Sequence, residues 1–175
     1  EMSAQALDLA ERLQTPVFVM SDLDIGMNQR LCRPFAWDDN REYDRGKVMT
    51  REALDAGTDF GRYLDVDGDG IPYRTYPGTH PTKGGYFTRG TTKNAYAVYS
   101  EAGADYIYNM QRLRQKFETA KSLVPLPVLT AARYPARFAA IFYGSTGPAM
   151  QEALTALAEQ GIYLNALRIR AFPFQ

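Results

Sequence analysis

The sequence predicts an α/β fold, and three observations lead to that class. Pro16–Met20 reads PVFVM, a continuous apolar run of the kind that forms strands buried on both faces of a parallel sheet. Residues 137–172 supply a strand, a turn, a helix and a second strand in that order, which predicts a βαβ unit. Between these portions, residues 28–102 lack sustained periodicity. We therefore expect two regular portions joined by a long irregular one.

The first regular portion begins with a helix predicted over residues 3–13, where apolar side chains recur at helical spacing between charges. Pro16 ends this helix and opens the apolar run, which is predicted to be a strand. Asp22, Asp24 and Asn28 follow that run, at the edge where open α/β sheets usually bind ligands. Two interpretations stay open for these three residues: they cap the loop, or they lie at an interface or beside a cofactor.

The irregular portion is predicted to be ordered despite its length. A single short helix is predicted at Arg51–Ala56, with Thr50 as N-cap and Gly57 as C-cap. Loops of this length are uncommon in compact domains. The segment is nevertheless rich in tyrosine and phenylalanine, which argues against a mobile linker. We therefore interpret it as an ordered, aromatic-rich arm that packs over a larger body such as another subunit.

The second regular portion opens with a helix predicted at Asp105–Val124, which Pro125 and Pro127 end. Its apolar side chains fall three and four positions apart, which predicts one buried face. That face comprises Ile107, Met110, Leu113, Phe117, Ala120 and Val124.

The βαβ unit follows, with strands predicted at Arg137–Tyr143 and Tyr163–Phe172 and a helix at Pro148–Gln160. Ser145 and Thr146 precede the helix, and capping of the helix is favoured there over anion binding. Two strands and one helix cannot bury a sheet by themselves. Because the sequence also begins at Glu1 rather than Met, we expect it to be a segment of a longer protein.

Composition excludes several classes of function. Twenty basic residues balance 20 acidic ones, so no net charge favours nucleic acid or an anionic membrane as a partner. The single cysteine, Cys32, favours a cytoplasmic location. One histidine and one cysteine cannot form a Cys/His zinc site or hold an iron–sulfur cluster within the chain. No nucleophile or nucleotide motif is present, and we assign no catalytic residue.

The loop at residues 64–90 carries the strongest candidates for a functional site. It contains Arg74, His80, Lys83 and Arg89 among glycines and prolines, and loops of this kind often place functional groups. These side chains could form a cationic wall that binds a carboxylate or a phosphate, with arginine supplying a bidentate contact. Pairing of these cations with the acids of the same loop is favoured over such a wall, which stays as the alternative.

Those acids follow a calcium-loop pattern in part. Asp65, Asp67 and Asp69 alternate before Gly70, as ligands do at the front of an EF-hand loop. Position twelve of such a loop requires a glutamate, and this chain has Tyr76 there. A turn whose aspartates cap backbone amides is therefore favoured over a calcium site, which stays as the alternative.

Three segments together suggest a family. They read PVFVMSDLDIGMNQ, DVDGDGIPYRTYPGTHPTKGGYFTRGT and FYGSTGPAMQEALTALAEQGIYLNALRIRAFPF. In this order they resemble the α subunit of bacterial 2-oxoacid:ferredoxin (acceptor) oxidoreductases, and the 2-oxoglutarate-type enzymes are the most similar. The likeness extends over nearly the whole chain, and the middle segment is its most specific part.

The resemblance implies parts of two transketolase-like three-layer modules joined by the arm. Residues 1–30 would end a pyrimidine-binding-type domain, residues 31–135 would form the connecting arm, and residues 136–175 would begin a transketolase-C-terminal-like domain. It also implies decarboxylation of a 2-oxoacid on thiamine diphosphate, electron transfer to ferredoxin and release of an acyl-CoA. Thiamine diphosphate, magnesium and the iron–sulfur cluster would be carried mainly by the partner β subunit, with none bound by this segment alone.

One departure from the family concerns residues 91–96. Relatives commonly read Thr-Ser-His-Asp-Glu-Tyr there, whereas this chain reads Thr-Thr-Lys-Asn-Ala-Tyr and lacks the central His-Asp-Glu. Thr91 joins Arg74, His80, Lys83 and Arg89 as a candidate that faces substrate or cofactor.

The competing hypothesis is a non-catalytic protein-interaction module, with calcium at the aspartate run.

Overall fold

The computed structural model describes residues 2–29, 31–36 and 38–174, and it confirms a mixed α/β chain with a three-stranded sheet. The elements in chain order are α1 (Met2–Leu13), α2 (Leu23–Met27), α3 (Arg51–Asp55), α4 (Gly103–Lys121), β1 (Val128–Thr130), β2 (Phe138–Phe142), α5 (Thr146–Glu159) and β3 (Leu164–Arg168). The chain forms two compact units. Unit 1 comprises Glu1–Phe18 with Glu42–Leu123, and unit 2 comprises Val19–Arg41 with Val124–Gln175.

Unit 1 is built around the C-terminal ends of α1 and α4. Helix α1 confirms the helix predicted over residues 3–13, and its last residue, Leu13, is buried against Ile71 and Ala120. Ile71 reaches this core because the preceding Gly70 lies directly on α4, with a φ of +79° that favours glycine. The core is small, and it joins both helices to the aspartate-rich turn.

Helix α4 lies close to its predicted position, but its predicted face is buried only in part. Three of the six predicted residues are exposed, at 55% for Ile107, 43% for Met110 and 47% for Phe117. Ala120 is buried as predicted, and Arg112 and Lys116 are buried with it, which was not predicted. Loop carbonyls explain the difference, because Arg112 Nη1 donates to Gly70 O at 3.0 Å and Lys116 Nζ donates to Gln14 O at 3.4 Å. Their aliphatic stems pack against the loop while their polar ends reach these acceptors.

The short helix α3 confirms the one predicted in the irregular portion. The Thr50 hydroxyl accepts a hydrogen bond from Ala53 N at 3.3 Å, as expected of an N-cap. The C-cap is Ala56 rather than Gly57, which follows it in the left-handed region with a φ of +85°. The predicted cap was therefore placed one residue too late.

Unit 2 contains the predicted βαβ unit. Strands β2 and β3 pair in parallel, with Phe138 opposite Leu164 and Phe142 opposite Arg168, and α5 connects them. Gly161 follows α5 with a φ of +77°, as a helix-ending glycine should. Strand β1, which was not predicted, pairs antiparallel with the other edge of β3. The three residues of β1, which directly follow Pro127, are too short a run for hydrophobic periodicity to indicate a strand.

The strand predicted at Pro16–Met20 is wrong for the structure of this chain. These residues form no strand, and Phe18 and Met20 are 83% and 82% exposed. A continuous apolar run becomes a buried strand only where neighbouring strands pair with it, and none of the described residues does so. The residues after it form α2, a helix of five residues that had been interpreted as loop.

Candidate functional site

The Asp65–Gly70 segment is a turn closed by its own carboxylates. Asp65 accepts hydrogen bonds from Gly68 N at 3.0 Å and from Gly70 N at 2.9 Å. Asp69 accepts one from Ile71 N at 2.9 Å. This is the arrangement expected of aspartates that satisfy backbone amides in a turn. The geometry therefore favours the capping interpretation over the calcium site.

Lys47 occupies the position where a cation would neutralise this turn. Its ammonium lies 2.6 Å from Asp67 Oδ2 and 2.7 Å from Asp69 Oδ2, and it donates to Ile71 O at 3.1 Å. Burial lowers the pKa of Lys47, but the hydrogen bonds to the two aspartates outweigh burial and raise it overall. Asp67 and Asp69 are therefore paired with Lys47. The pairing expected between these acids and the loop cations is wrong for Arg74, His80 and Lys83, which bind other groups.

Arg74 is directed into unit 1. Its Nη2 forms an ion pair with Glu11 of α1 and donates to Arg45 O at 2.6 Å and Tyr76 OH at 3.2 Å. The hydrogen bond from Arg74 lowers the pKa of Glu11. Arg74 and Val48 also form a parallel β-bridge. Arg74 therefore connects α1, residues 45–48 and its own loop.

His80 and Lys83 bind the C-terminal end of α3. His80 Nδ1 accepts from Thr82 N at 3.0 Å and Lys83 N at 2.8 Å, so that nitrogen carries no proton. The proton of the neutral ring is consequently on Nε2, which lies 2.9 Å from Asp55 Oδ1. The hydrogen bond from His80 lowers the pKa of Asp55. Lys83 Nζ donates to Leu54 O at 2.8 Å, a favourable place for a cation at a helix C-terminus.

Arg89 and Thr91, the remaining loop candidates, are both exposed. The Arg89 guanidinium lies 5.9 Å from the centre of the Tyr99 ring. The five loop candidates thus do not converge on one point. Three of them are used in contacts within unit 1, and two face outward.

Asp22 is the best-placed of the strand-end candidates. It is the N-cap of α2, where Oδ1 accepts from Ile25 N at 2.8 Å. Its second oxygen accepts from Ser145 N at 3.0 Å, so one carboxylate serves the starts of α2 and α5. The backbone hydrogen bond from Ile25 is the main cause that lowers the pKa of Asp22.

The other residues of this group have smaller parts in the structure. Asn28 is the C-cap of α2, and its backbone N donates to Asp24 O at 3.2 Å. Ser145 caps α5 by position, but its side chain makes no capping hydrogen bond. The predicted capping by Ser145 is therefore replaced by the carboxylate of Asp22.

Arg112 and Lys116 are functional candidates that sequence reasoning missed. Both are more than nine-tenths buried, at 9% and 7% exposure. Burial lowers the pKa of each, and for Lys116 the charges of Arg112 and Arg62 lower it further. Sequence reasoning missed them because lysine and arginine side chains on a helix are normally exposed to solvent. The one hint of their burial is Gly70, which lies at the same contact between loop and helix.

Unit 2 contains a cavity of about 500 Å³ next to α5. Tyr134 and Tyr163 meet edge to face in its wall, with ring centres 4.8 Å apart. Thr155 and Gln151 of α5 supply polar atoms. None of the loop or strand-end candidates lines it.

In the described part of the chain, no three side chains of histidine, cysteine, aspartate or glutamate converge as they would around a metal ion. No helix formed by these residues is long and apolar enough to cross a bilayer.

The fold is similar to that of a solved enzyme. The structure matches 2-oxoglutarate:ferredoxin oxidoreductase from Magnetococcus marinus, solved with 2-oxoglutarate, coenzyme A and succinyl-CoA bound, at a TM-score of 0.75 and 18% sequence identity. The match covers 95% of this chain and 28% of that one, so this chain spans little more than a quarter of its neighbour. No protein-family model and no curated protein sequence matches the chain. The resemblance stated from the sequence is thereby confirmed at the level of the fold.

Proposed function

We propose that this chain is part of the α subunit of a thiamine-diphosphate-dependent 2-oxoacid:ferredoxin oxidoreductase of the 2-oxoglutarate type. Such an enzyme converts 2-oxoglutarate, coenzyme A and oxidised ferredoxin to succinyl-CoA, carbon dioxide and reduced ferredoxin. The observation that carries the proposal is the fold match, because 95% coverage must include most of the irregular portion of unit 1. A βαβ unit recurs in many folds, whereas an irregular segment of this length does not.

Exposed apolar side chains support a place within a larger assembly. Ile141 of β2 is 69% exposed, and Leu31 and Phe35 are exposed almost completely. Large exposed apolar groups mark surfaces that other protein covers. The proposal assigns this surface to the remaining modules and to the β subunit, and it includes the predicted division at residues 1–30, 31–135 and 136–175.

The cofactors belong to the same proposal. Thiamine diphosphate, magnesium and the iron–sulfur cluster would be held mainly by the β subunit, with none bound by this segment alone. The chain's own part would be to shape the pocket and the subunit interface. Arg89 and Thr91 are the loop candidates whose exposure suits that part, since Arg74, His80 and Lys83 bind groups within unit 1.

The test is an assay of the full-length subunit co-expressed with its neighbouring β partner. Reduction of a viologen dye would be followed with 2-oxoglutarate or pyruvate, with and without coenzyme A. Reduction that depends on coenzyme A and prefers 2-oxoglutarate is the expected result. A folded, cofactor-loaded complex that oxidises pyruvate alone would correct the substrate, and one inactive towards 2-oxoacids in general would refute the proposal.

A further inference from the structure

The ring of Tyr63 is surrounded by three cationic side chains. Lys93 Nζ lies 4.9 Å from the ring centre, the Arg62 guanidinium 5.5 Å and the Arg112 guanidinium 5.7 Å. Arg62 also lies 5.9 Å from the centre of the Tyr86 ring. We call Arg62, Tyr63, Tyr86, Lys93 and Arg112 the Tyr63 cluster.

Direct contact with a carboxylate separates the Tyr63 cluster from several other cationic sites of unit 1. Five such sites contain ion pairs: Arg12 with Asp44, Lys47 with Asp67 and Asp69, Arg51 with Asp55, Arg74 with Glu11, and Lys121 with Glu118. Lys83 and Arg89 contact a carbonyl oxygen and a ring instead. Among residues 2–29, 31–36 and 38–174, no carboxylate forms an ion pair with any of the three cations of the cluster. Ring faces and loop carbonyls are their partners instead.

In this part of the chain, Asp65 is the one acid known to act on the charge of the cluster. Burial lowers the pKa of Arg112, and Asp65 acts from a distance to raise it, while both oxygens of Asp65 accept hydrogen bonds from the amides of the aspartate turn. In the described residues, the three cations of the cluster therefore have no carboxylate in direct contact.

Arg112 anchors the buried side of the cluster. Arg112 is only 9% exposed, and its Nε–H has no hydrogen-bond partner among the described residues. Lys116, one turn along α4, is buried behind it and adds a further positive charge. Like charges held together at low exposure are costly unless an opposite charge joins them. Arg62 and Lys93 are only partly buried, so an anion can approach from their side.

We infer that the Tyr63 cluster is a binding site for a phosphate-type oxyanion. Two guanidinium groups supply the planar forks that match phosphate oxygens, Lys93 supplies a point charge, and the tyrosine rings hold the cations in place. The phosphoryl group has two sources, a nucleotide such as coenzyme A or free inorganic phosphate or diphosphate. The coenzyme A source rests on the proposed function, whereas the oxyanion site itself does not.

The test measures binding of coenzyme A and of inorganic diphosphate to the full-length protein by titration calorimetry. The double variant Arg62→Gln/Lys93→Gln removes two charges from the open side of the cluster and leaves Arg112 in place. Arg51→Gln/Lys121→Gln is the matched control, since it removes the same charge from exposed ion pairs of unit 1. Circular dichroism checks that each variant is folded. If the double variant does not fold, Lys93→Gln alone is used as the cluster variant.

We expect the cluster variant to bind the recognised probe about 10- to 100-fold more weakly, as the loss of charge-assisted hydrogen bonds predicts, and the control to bind it as wild type does. Binding of diphosphate without coenzyme A identifies free phosphate as the source and supports the site. Three results would overturn the inference. The cluster variant could bind the probe as tightly as wild type, the cluster variant and the control could lose affinity equally, or wild type could bind neither probe. Turnover of a 2-oxoacid with unchanged binding in the cluster variant would reject the site alone, whereas cluster-dependent binding without turnover would reject the proposed function alone.

Discussion

Replacing Gly70 by alanine tests whether unit 1 depends on direct contact between the aspartate turn and α4. A Cβ at Gly70 would lie 2.3 Å from Lys116 N and 2.5 Å from Arg112 O, both of which are helix backbone atoms that cannot rotate away. Gly68 is the matched control, because it has a similar φ of +75° and nothing within 4 Å of its Cβ position. The two substitutions share the left-handed strain, and only one of them creates a clash.

The expected difference follows from the contacts that the clash would break. Alanine in the left-handed region costs roughly 1–2 kcal/mol at either position. At Gly70 the turn must also move off α4, which disturbs two hydrogen bonds, Arg112 Nη1 to Gly70 O at 3.0 Å and Thr119 Oγ1 to Asp69 O at 2.7 Å. Each contributes about 1 kcal/mol, and overpacking adds about 1–3 kcal/mol. Gly70→Ala should therefore destabilise unit 1 by roughly 4–7 kcal/mol and Gly68→Ala by roughly 1–2 kcal/mol.

Native-state hydrogen exchange is the suitable assay, because it reports the free energy of opening of α4 separately from the rest of the protein. The amides of α4 should lose most of their protection in Gly70→Ala and little in Gly68→Ala. Equal protection of α4 in the two variants would refute the reasoning, since it would mean that the turn does not rest on the helix. Loss of protection confined to residues 65–70 would refute it as well.

Three further predictions concern the carboxylates of the two units. Glu11→Gln and Arg74→Gln should each destabilise unit 1 in urea denaturation at pH 7, and the double variant should lose less stability than the sum of the two single losses. The pKa of Glu11 is lowered in the folded state. The stabilisation from this ion pair is therefore complete above the ordinary pKa of glutamate and disappears as the pH falls through the lowered pKa. In unit 2, Asp22→Ala should lower the melting temperature more than Ser145→Ala does, since the aspartate oxygens accept from both Ile25 N and Ser145 N, whereas the Ser145 side chain makes no capping hydrogen bond. Millimolar calcium should leave the melting temperature of the protein unchanged, and Asp65→Asn should lower it without calcium; a rise with calcium that Asp65→Asn abolishes would restore the calcium hypothesis.

The elements predicted correctly are those whose signals are local. The helix at residues 3–13 and the helix and two strands of the βαβ unit each combine periodicity with a proline or glycine boundary, and all are present. The strand at Pro16–Met20 was not found, because a strand forms only where a neighbouring strand pairs with it. The sequence of the run does not indicate whether such a neighbour is present. Strand β1 was missed for the complementary reason: three residues acquire strand geometry from pairing with β3 rather than from their own pattern.

Charge pairing was the least predictable feature of the candidate site. Proximity in sequence suggested that the loop cations neutralise the Asp65–Asp69 run, yet the structure pairs Asp67 and Asp69 with Lys47, and Arg74 with Glu11, 63 positions away. The choice follows from packing, because Gly70 and the end of α1 bring these side chains together before charge can select among them.

The same dependence on packing explains why α4 buries two cations and leaves part of its apolar stripe exposed. An apolar stripe predicts burial when the neighbour is another apolar surface, but the neighbour of α4 in unit 1 is a turn whose outward groups are backbone carbonyls. Arg112 can satisfy such an acceptor while its stem is buried, and Ile107 or Phe117 cannot. The contact between the turn and α4 thus has two results: part of the apolar stripe stays exposed, and the two cations are buried. Arg112, which this contact holds against Tyr63, has no carboxylate in ion-pair contact among the described residues, and that is what the oxyanion inference rests on.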